Sequence, residues 1–160
     1  MRAAIRRAAL LSVAVLAAAC NGSNLVPVPI PVATSAGPLL TVTSRGGDCP
    51  VGACGQSVIL ERDGRVHAAA KPPNDLGMVP AAAMAALTAA VNQTDFVALK
   101  SHPFTGECPV NFDGQELIFE FNVGSTTQRI ASCEVDIDWG SPLFVAVGVA
   151  LGQWVPLPLT

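Results

Sequence analysis

Residues 115–133, QELIFEFNVGSTTQRIASC, decide the fold because they encode a β-hairpin with one apolar face. Along 115–122, alternate side chains point to one face of the strand and the side chains between them point to the other. The first set is Leu117, Phe119 and Phe121, and the second set is Glu116, Ile118 and Glu120. Gly124 and Ser125 turn the chain, and residues 127–133 return beside the first strand. The pattern predicts two antiparallel strands that bury one face.

A second hairpin is predicted upstream of the first. Residues 56–62 and 65–71 flank Asp63-Gly64, a dipeptide typical of a two-residue hairpin turn. The run Lys-Pro-Pro-Asn over 71–74 then ends the sheet, because proline interrupts strand pairing. A short β-branched stretch over 39–44 adds one further strand.

Two helices complete the predicted domain. Pro80 stands at the first helical position of an alanine-rich stretch that continues to about Asn92, and Ser141 caps a second helix over 143–151. Hairpins imply antiparallel pairing, and helices that do not alternate singly with strands indicate an α+β domain. We therefore expect a mainly antiparallel sheet of about five strands, with both helices packed on one face, in the order β-ββ-α-ββ-α.

The N-terminal sequence is typical of an exported protein. Residues 1–7 contain three arginines, residues 8–19 are apolar apart from one serine, and small residues precede Cys20. This arrangement resembles the lipobox of bacterial lipoproteins. The resemblance implies that residues 1–19 are a signal peptide and that Cys20 carries a lipid anchor on a bacterial membrane, with the domain facing the periplasm or the exterior. The alternative is a secreted protein in which Cys20 is a spare thiol.

The rest of the chain divides into a predicted tether over 20–38 and a single disulfide-bonded domain over 39–160. Four prolines between residues 27 and 38 favour a semi-rigid extended tether. An edge strand over 26–32 is the alternative for this stretch.

Composition excludes two classes of protein. Of the 160 residues, 51% are hydrophobic and 13% are charged, which excludes intrinsic disorder of the whole chain. Beyond the leader, six basic residues stand against twelve acidic ones, a net charge of −6. Nucleic acid is therefore not an expected partner. The sequence contains no phosphate-binding loop or dinucleotide motif, so no cofactor is expected.

Four cysteines remain once Cys20 is set aside, and an even number in an exported chain predicts disulfides. We expect Cys49–Cys54 to close a short loop and Cys108–Cys133 to close the open end of the second hairpin. A zinc site or a redox-active pair fits less well, because Cys-x4-Cys lacks the spacing of either.

Two alternatives would give the domain a chemistry of its own. A small envelope hydrolase could use His102 with Glu107 or Asp113, although both histidines, His67 and His102, are expected at the surface and no catalytic triad is recognisable. A calcium site could use three alternating carboxylates, Glu134, Asp136 and Asp138. Such a row more often forms the solvated side of a strand end, so we predict neither a catalytic residue nor a metal.

Several segments together resemble a known layout. They are TVTSRGGDCPVGAC over 41–54, a central helix ending near DFVAL over 95–99, the hairpin that follows, and the C-terminal helix. This order resembles emfourin-type bacterial inhibitors of metalloproteases. The chain is also similar to secreted bacterial domains with a Cys-Pro, Cys and Asp-Gly-x-Val run, here Cys49-Pro50, Cys54, Asp63-Gly64 and Val66. The adjacent Gly46 and Gly47 imply positive φ or a close backbone approach.

The sequence thus predicts a membrane-tethered, non-enzymatic binding module with an envelope protein as its partner, and protease inhibition would be a special case of this. Loops 45–55 and 101–114 are each pinned by a predicted disulfide, and loops held rigid lose less entropy on docking. Arg45 and Phe104 are the side chains that we predict to contact the partner. Phe104 could instead fill the core beneath the helix.

Overall fold

The computed structural model describes residues 37–47 and 54–158, which belong to one compact unit, Thr34–Thr160. The predicted signal peptide, Cys20, most of the predicted tether and Cys49 lie outside the described residues. The fold is α+β, as predicted, with one antiparallel sheet and three helices. Within the described ranges, no helix is long and apolar enough to cross a membrane.

The sheet has six strands in the order β4-β3-β2-β1-β5-β6. In chain order, the strands are β1 Leu40–Gly46, β2 Gly55–Leu60, β3 Arg65–Ala68, β4 Asn74–Met78, β5 Gln115–Val123 and β6 Thr126–Ala131. The helices are α1 Ala81–Gln93, α2 Phe96–Lys100 and α3 Pro142–Leu151, and a 3-10 turn spans Pro109–Phe112. The central strand β1 pairs with β2 on one side and with β5 on the other.

The predicted apolar face of β5 forms the centre of the core. Phe119 and Phe121 are fully buried, and Val42 of β1 pairs with both Phe119 and Val58 in the sheet register. Helix α3 covers these strands, and its Phe144 ring lies edge-on to Phe119 with centroids 5.2 Å apart. Leu87 and Val91 of α1, together with Val147 of α3, belong to the same cluster.

The structure adds a strand, β4, and a short helix, α2, to the prediction, and it forms the 3-10 turn Pro109–Phe112 within the predicted loop 101–114. Strand β4 was not predicted because Lys71-Pro72-Pro73-Asn74 was expected to end the sheet, whereas the chain turns there and β4 pairs with β3. β4 forms an edge of the sheet and begins at Asn74, after both prolines, so neither proline removes a donor from its pairing with β3. Helix α2 was not predicted because its five residues are too few to show helical periodicity. Its N-cap is Asp95, whose carboxylate accepts hydrogen bonds from the Val97 and Ala98 amides.

Candidate functional site

The loop over 101–114 lies at the end of the sheet where β5 begins. The disulfide Cys108–Cys133 joins it to the chain just after β6, as predicted, with 5.2 Å between the Cα atoms. At the start of the loop, the Phe104 amide donates a hydrogen bond of 3.0 Å to the Glu134 carbonyl. The loop is therefore fastened both at Phe104 and at Cys108. Cys54 is also disulfide-bonded, while its predicted partner Cys49 lies outside the described residues.

An apolar groove of about 440 Å³, here called the aromatic groove, lies between this loop and the C-terminal segment 156–158. Its apolar lining consists of Phe104, Pro109, Leu117, Trp139, Pro156, Leu157 and Pro158, and its polar lining of Gln115 and Ser132. Among the described residues, no side chain that lines it carries a charge. Phe104 is half-buried here, so it contributes to a groove wall rather than to the core cluster.

Trp139 gives the groove a rigid wall. Its indole lies edge-on to Phe144, with centroids 5.4 Å apart, and to Phe119, with centroids 6.1 Å apart. The C-terminal wall is tied to the sheet by Gln56, whose side-chain amide donates a hydrogen bond to the Trp154 carbonyl. The groove is thus formed by the folded domain before any partner arrives.

The predicted glycine pair accounts for how the end of β1 meets the loop. Gly46 and Gly47 both have positive φ, +83° and +97°, which confirms the prediction from the adjacent glycines. A Cβ atom on Gly46 would lie 2.7 Å from the Gly114 carbonyl oxygen and 2.9 Å from a Val110 methyl group. Only glycine permits this approach, since a backbone atom cannot move aside as a flexible side chain can.

Arg45 lies one residue before this contact, on the sheet face opposite the core. Its side chain is 58% exposed, and its Nε donates a hydrogen bond to the carboxylate of Glu116, its register partner on β5. The sequence pattern placed Glu116 on the solvent side of β5, yet its side chain is fully buried. The expectation of an exposed Glu116 was wrong because Arg45 supplies a charged partner that lets the carboxylate leave solvent.

Arg45 also lines a second depression of about 480 Å³, here called the Arg45 cleft. A smaller depression that contains Gln56, Gln115 and Pro156 shares residues with both the cleft and the aromatic groove. Together these three depressions form what we call the sheet-end surface. The structure therefore brings the two predicted contact residues, Arg45 and Phe104, to the same end of the sheet.

The residues of the hydrolase alternative do not form a catalytic arrangement. His102, Glu107 and Asp113 are all exposed, and among the described residues no hydrogen bond joins the His102 side chain to either carboxylate. His67 is half-buried rather than solvated, because its Nε2 lies 3.0 Å from a Glu61 carboxylate oxygen.

The three carboxylates of the calcium alternative do not converge on one point, because two of them accept hydrogen bonds from different groups and the third is exposed. Glu134 accepts a hydrogen bond of 2.6 Å from Arg129, and this bond raises the pKa of Arg129. Asp138 accepts a hydrogen bond from the Gly140 amide, and Asp136 is exposed. Within residues 37–47 and 54–158, no group of three or more acidic, histidine or cysteine side chains could hold a metal ion.

A comparison with models of known protein families finds no match, and a comparison with curated proteins finds no similar sequence. Sequence reasoning did not predict the roles of Trp139, Leu157 and Gln115 in the groove. The available signal was weak: Trp139 follows an acidic run and Leu157 lies in a proline-rich end. Neither sequence context predicts a groove, because Trp139 and Leu157 become neighbours only in the folded domain.

Proposed function

We propose that this chain is a lipid-anchored envelope protein of a bacterium and that its domain is a non-enzymatic binding module. The basic, apolar and small-residue order before Cys20 supports export and acylation at that cysteine. The partner is an extended segment of another envelope protein, which places apolar side chains in the aromatic groove. Because the layout of the chain resembles emfourin-type inhibitors, the proposed partners include proteases.

The aromatic groove is the observation that carries the proposal. Phe104 and Trp139 present aromatic surface that the core does not fully cover, and the groove around them has no charged lining among the described residues. Complete burial of one Leu- or Phe-sized side chain from a partner contributes about 1.5–3 kcal/mol. Because Cys108–Cys133 and the packing of Trp139 hold the groove in shape, little of this free energy is lost in ordering the walls.

Photo-crosslinking in the bacterial envelope tests the proposal. A photoreactive phenylalanine analogue replaces Leu157, which lines the groove, or Val97, which is 82% exposed on α2 and does not line the groove. We expect a discrete crosslinked species from position 157, weakened by Phe104→Ala, and none from position 97. Equal crosslinking from the two positions, or none from position 157, would contradict the proposed function.

A further inference from the structure

The Arg45 cleft differs from the aromatic groove in chemistry. It lies where β1, β2 and the end of β3 meet, and its lining includes Arg45, Thr43, Ser57 and Gly55. Arg45 is the one charged side chain that lines it within the described residues. The described lining of the cleft therefore offers a single cation beside two hydroxyl groups.

Arg45 is held in place without using all of its donors. Its Nε bonds to Glu116, a carboxylate with no exposed surface, whose second oxygen, Oε1, has no hydrogen-bond partner in the described part of the chain. A buried carboxylate separated from its cation is strongly destabilising, so this contact fixes the guanidinium. The terminal nitrogens of Arg45 make no other hydrogen bond with the described residues, and they present the planar fork that carboxylates accept.

The two hydroxyl groups extend this donor set. Thr43 and Ser57 pair across the β1–β2 register, on the same face as Arg45, and their oxygens lie 2.7 Å apart. Since one hydroxyl donates to the other, one hydroxyl proton stays available for a ligand. Gly55, the register partner of Arg45, lies so close to β1 that a Cβ atom there would be 2.7 Å from the Ser44 carbonyl oxygen, so the floor of the cleft beside Arg45 is backbone.

We infer that Arg45 binds an Asp or Glu side chain of the partner segment, an inference that rests on the proposed function of the aromatic groove. Glu116 balances the charge of Arg45, so recognition depends on short-range, charge-assisted hydrogen bonds rather than on long-range attraction. Leu117 of the groove lies on the core side of β5, whereas Arg45 of the cleft lies on the opposite face of the neighbouring strand β1. The partner segment therefore crosses the end of the sheet through the depression that contains Gln56 and Gln115. One strand spacing plus this crossing is on the order of 10–15 Å, or three to five residues of extended chain. The ligand is thus an extended peptide with an aromatic or aliphatic residue and an acidic residue about four positions apart.

Three matched octapeptide mixtures on beads test this inference with the full mature chain in detergent. One mixture has Phe at position 3 and Asp at position 7, the second has Phe and Asn, and the third has Ala and Asp, with all other positions randomised. Two variants are compared with the wild type. The double variant Arg45→Gln, Glu116→Gln removes both charges and so leaves no buried unpaired carboxylate, and the single variant Arg65→Gln is the control. Arg65 is a matched control because it is an exposed arginine, paired with Asp63, outside the sheet-end surface.

We expect the wild-type chain to be retained about tenfold better on the Phe/Asp beads than on the Phe/Asn beads. The double variant should lose this preference and keep its retention on the Phe/Asn beads, whereas Arg65→Gln should behave like the wild type. Equal retention of the wild type on the Phe/Asp and Phe/Asn beads overturns the inference and leaves the proposed function standing. If the wild-type chain is retained no better on the Phe/Asp beads than on the Ala/Asp beads, the groove does not bind the aromatic side chain, and the proposed function is wrong.

Discussion

Removal of the Cys108–Cys133 disulfide tests how the sheet-end surface is held together. The two cysteines are 25 residues apart in the sequence. On the chain-entropy estimate, closing a loop of about 25 residues lowers the entropy of the unfolded chain by about 12 cal/mol/K, or about 3.5 kcal/mol at 25 °C. The double variant Cys108→Ala, Cys133→Ala should lose about that much free energy of unfolding. This is a large share of the roughly 5–15 kcal/mol typical of folded proteins.

Equilibrium unfolding in urea, followed by tryptophan fluorescence, measures the loss. Trp139 is a suitable reporter because it contacts both the core ring of Phe144 and the aromatic groove. The double variant is preferable to chemical reduction of the wild-type protein, since reduction would also break the disulfide of Cys54. A lower midpoint with an unchanged urea dependence indicates a change in stability alone.

A loss below about 1 kcal/mol would refute the reasoning, because the constraint on the unfolded chain would then not be the main contribution of this bridge. A second readout concerns the groove. In the bacterial envelope, at a temperature where the double variant remains folded, crosslinking from position 157 should fall, since Phe104 and Pro109 lie on the released loop. Unchanged crosslinking would mean that the groove keeps its shape without the disulfide.

Three further predictions follow from particular residues. Gly46→Ala should lower the free energy of unfolding more than Gly124→Ala does, by at least about 1 kcal/mol. Both glycines have positive φ, but of the two only Gly46 faces a backbone oxygen. Equal losses of the two variants in urea unfolding would contradict the close approach at Gly46. A backbone hydrogen bond from Arg65 lowers the pKa of Asp63 below its ordinary 3.8, so its stabilising effect is present above that value and is lost as pH falls through the lowered pKa. The melting-temperature difference between wild type and Asp63→Asn should therefore be present at pH 7 and decrease as the pH falls below 3.8, and a difference that does not change with pH would contradict this. Intact mass spectrometry should show loss of residues 1–19 and a lipid on Cys20, and an unmodified soluble product would contradict the lipoprotein proposal.

The strands with strict alternation could be predicted from the sequence. In β5, the period of two places Leu117, Phe119 and Phe121 on the core side, and all three are buried. Asp63-Gly64 lies in the connection from β2 to β3 as predicted, but the strands are shorter than predicted and four residues, 61–64, separate them instead of two. These features are local, and the physics that determines them acts over a few neighbouring residues.

Features that depend on distant partners could not be predicted in the same way. β4 carries no apolar alternation and is a strand only because β3 offers its free edge. Glu116 appears in the sequence as one of several acidic residues on a polar face, and its burial depends on Arg45 from another strand. A buried charge cannot be inferred from its own strand, because the group that stabilises it lies elsewhere in the chain.

The sheet-end surface shows the same division at the level of function. Its residues come from the end of β1, the start of β2, the start of β5 and the C-terminal segment, so no continuous motif encodes it. The positions that force these segments together are nevertheless visible in the sequence, as the Gly46-Gly47 pair and as Cys108 and Cys133. Such positions predict where rigid loops converge, but the chemistry of the surface depends on which side chains arrive there. In this protein those side chains are aromatic on one side and a single anchored arginine on the other, and this pairing is why we propose that the surface binds a partner segment with an apolar and an acidic residue.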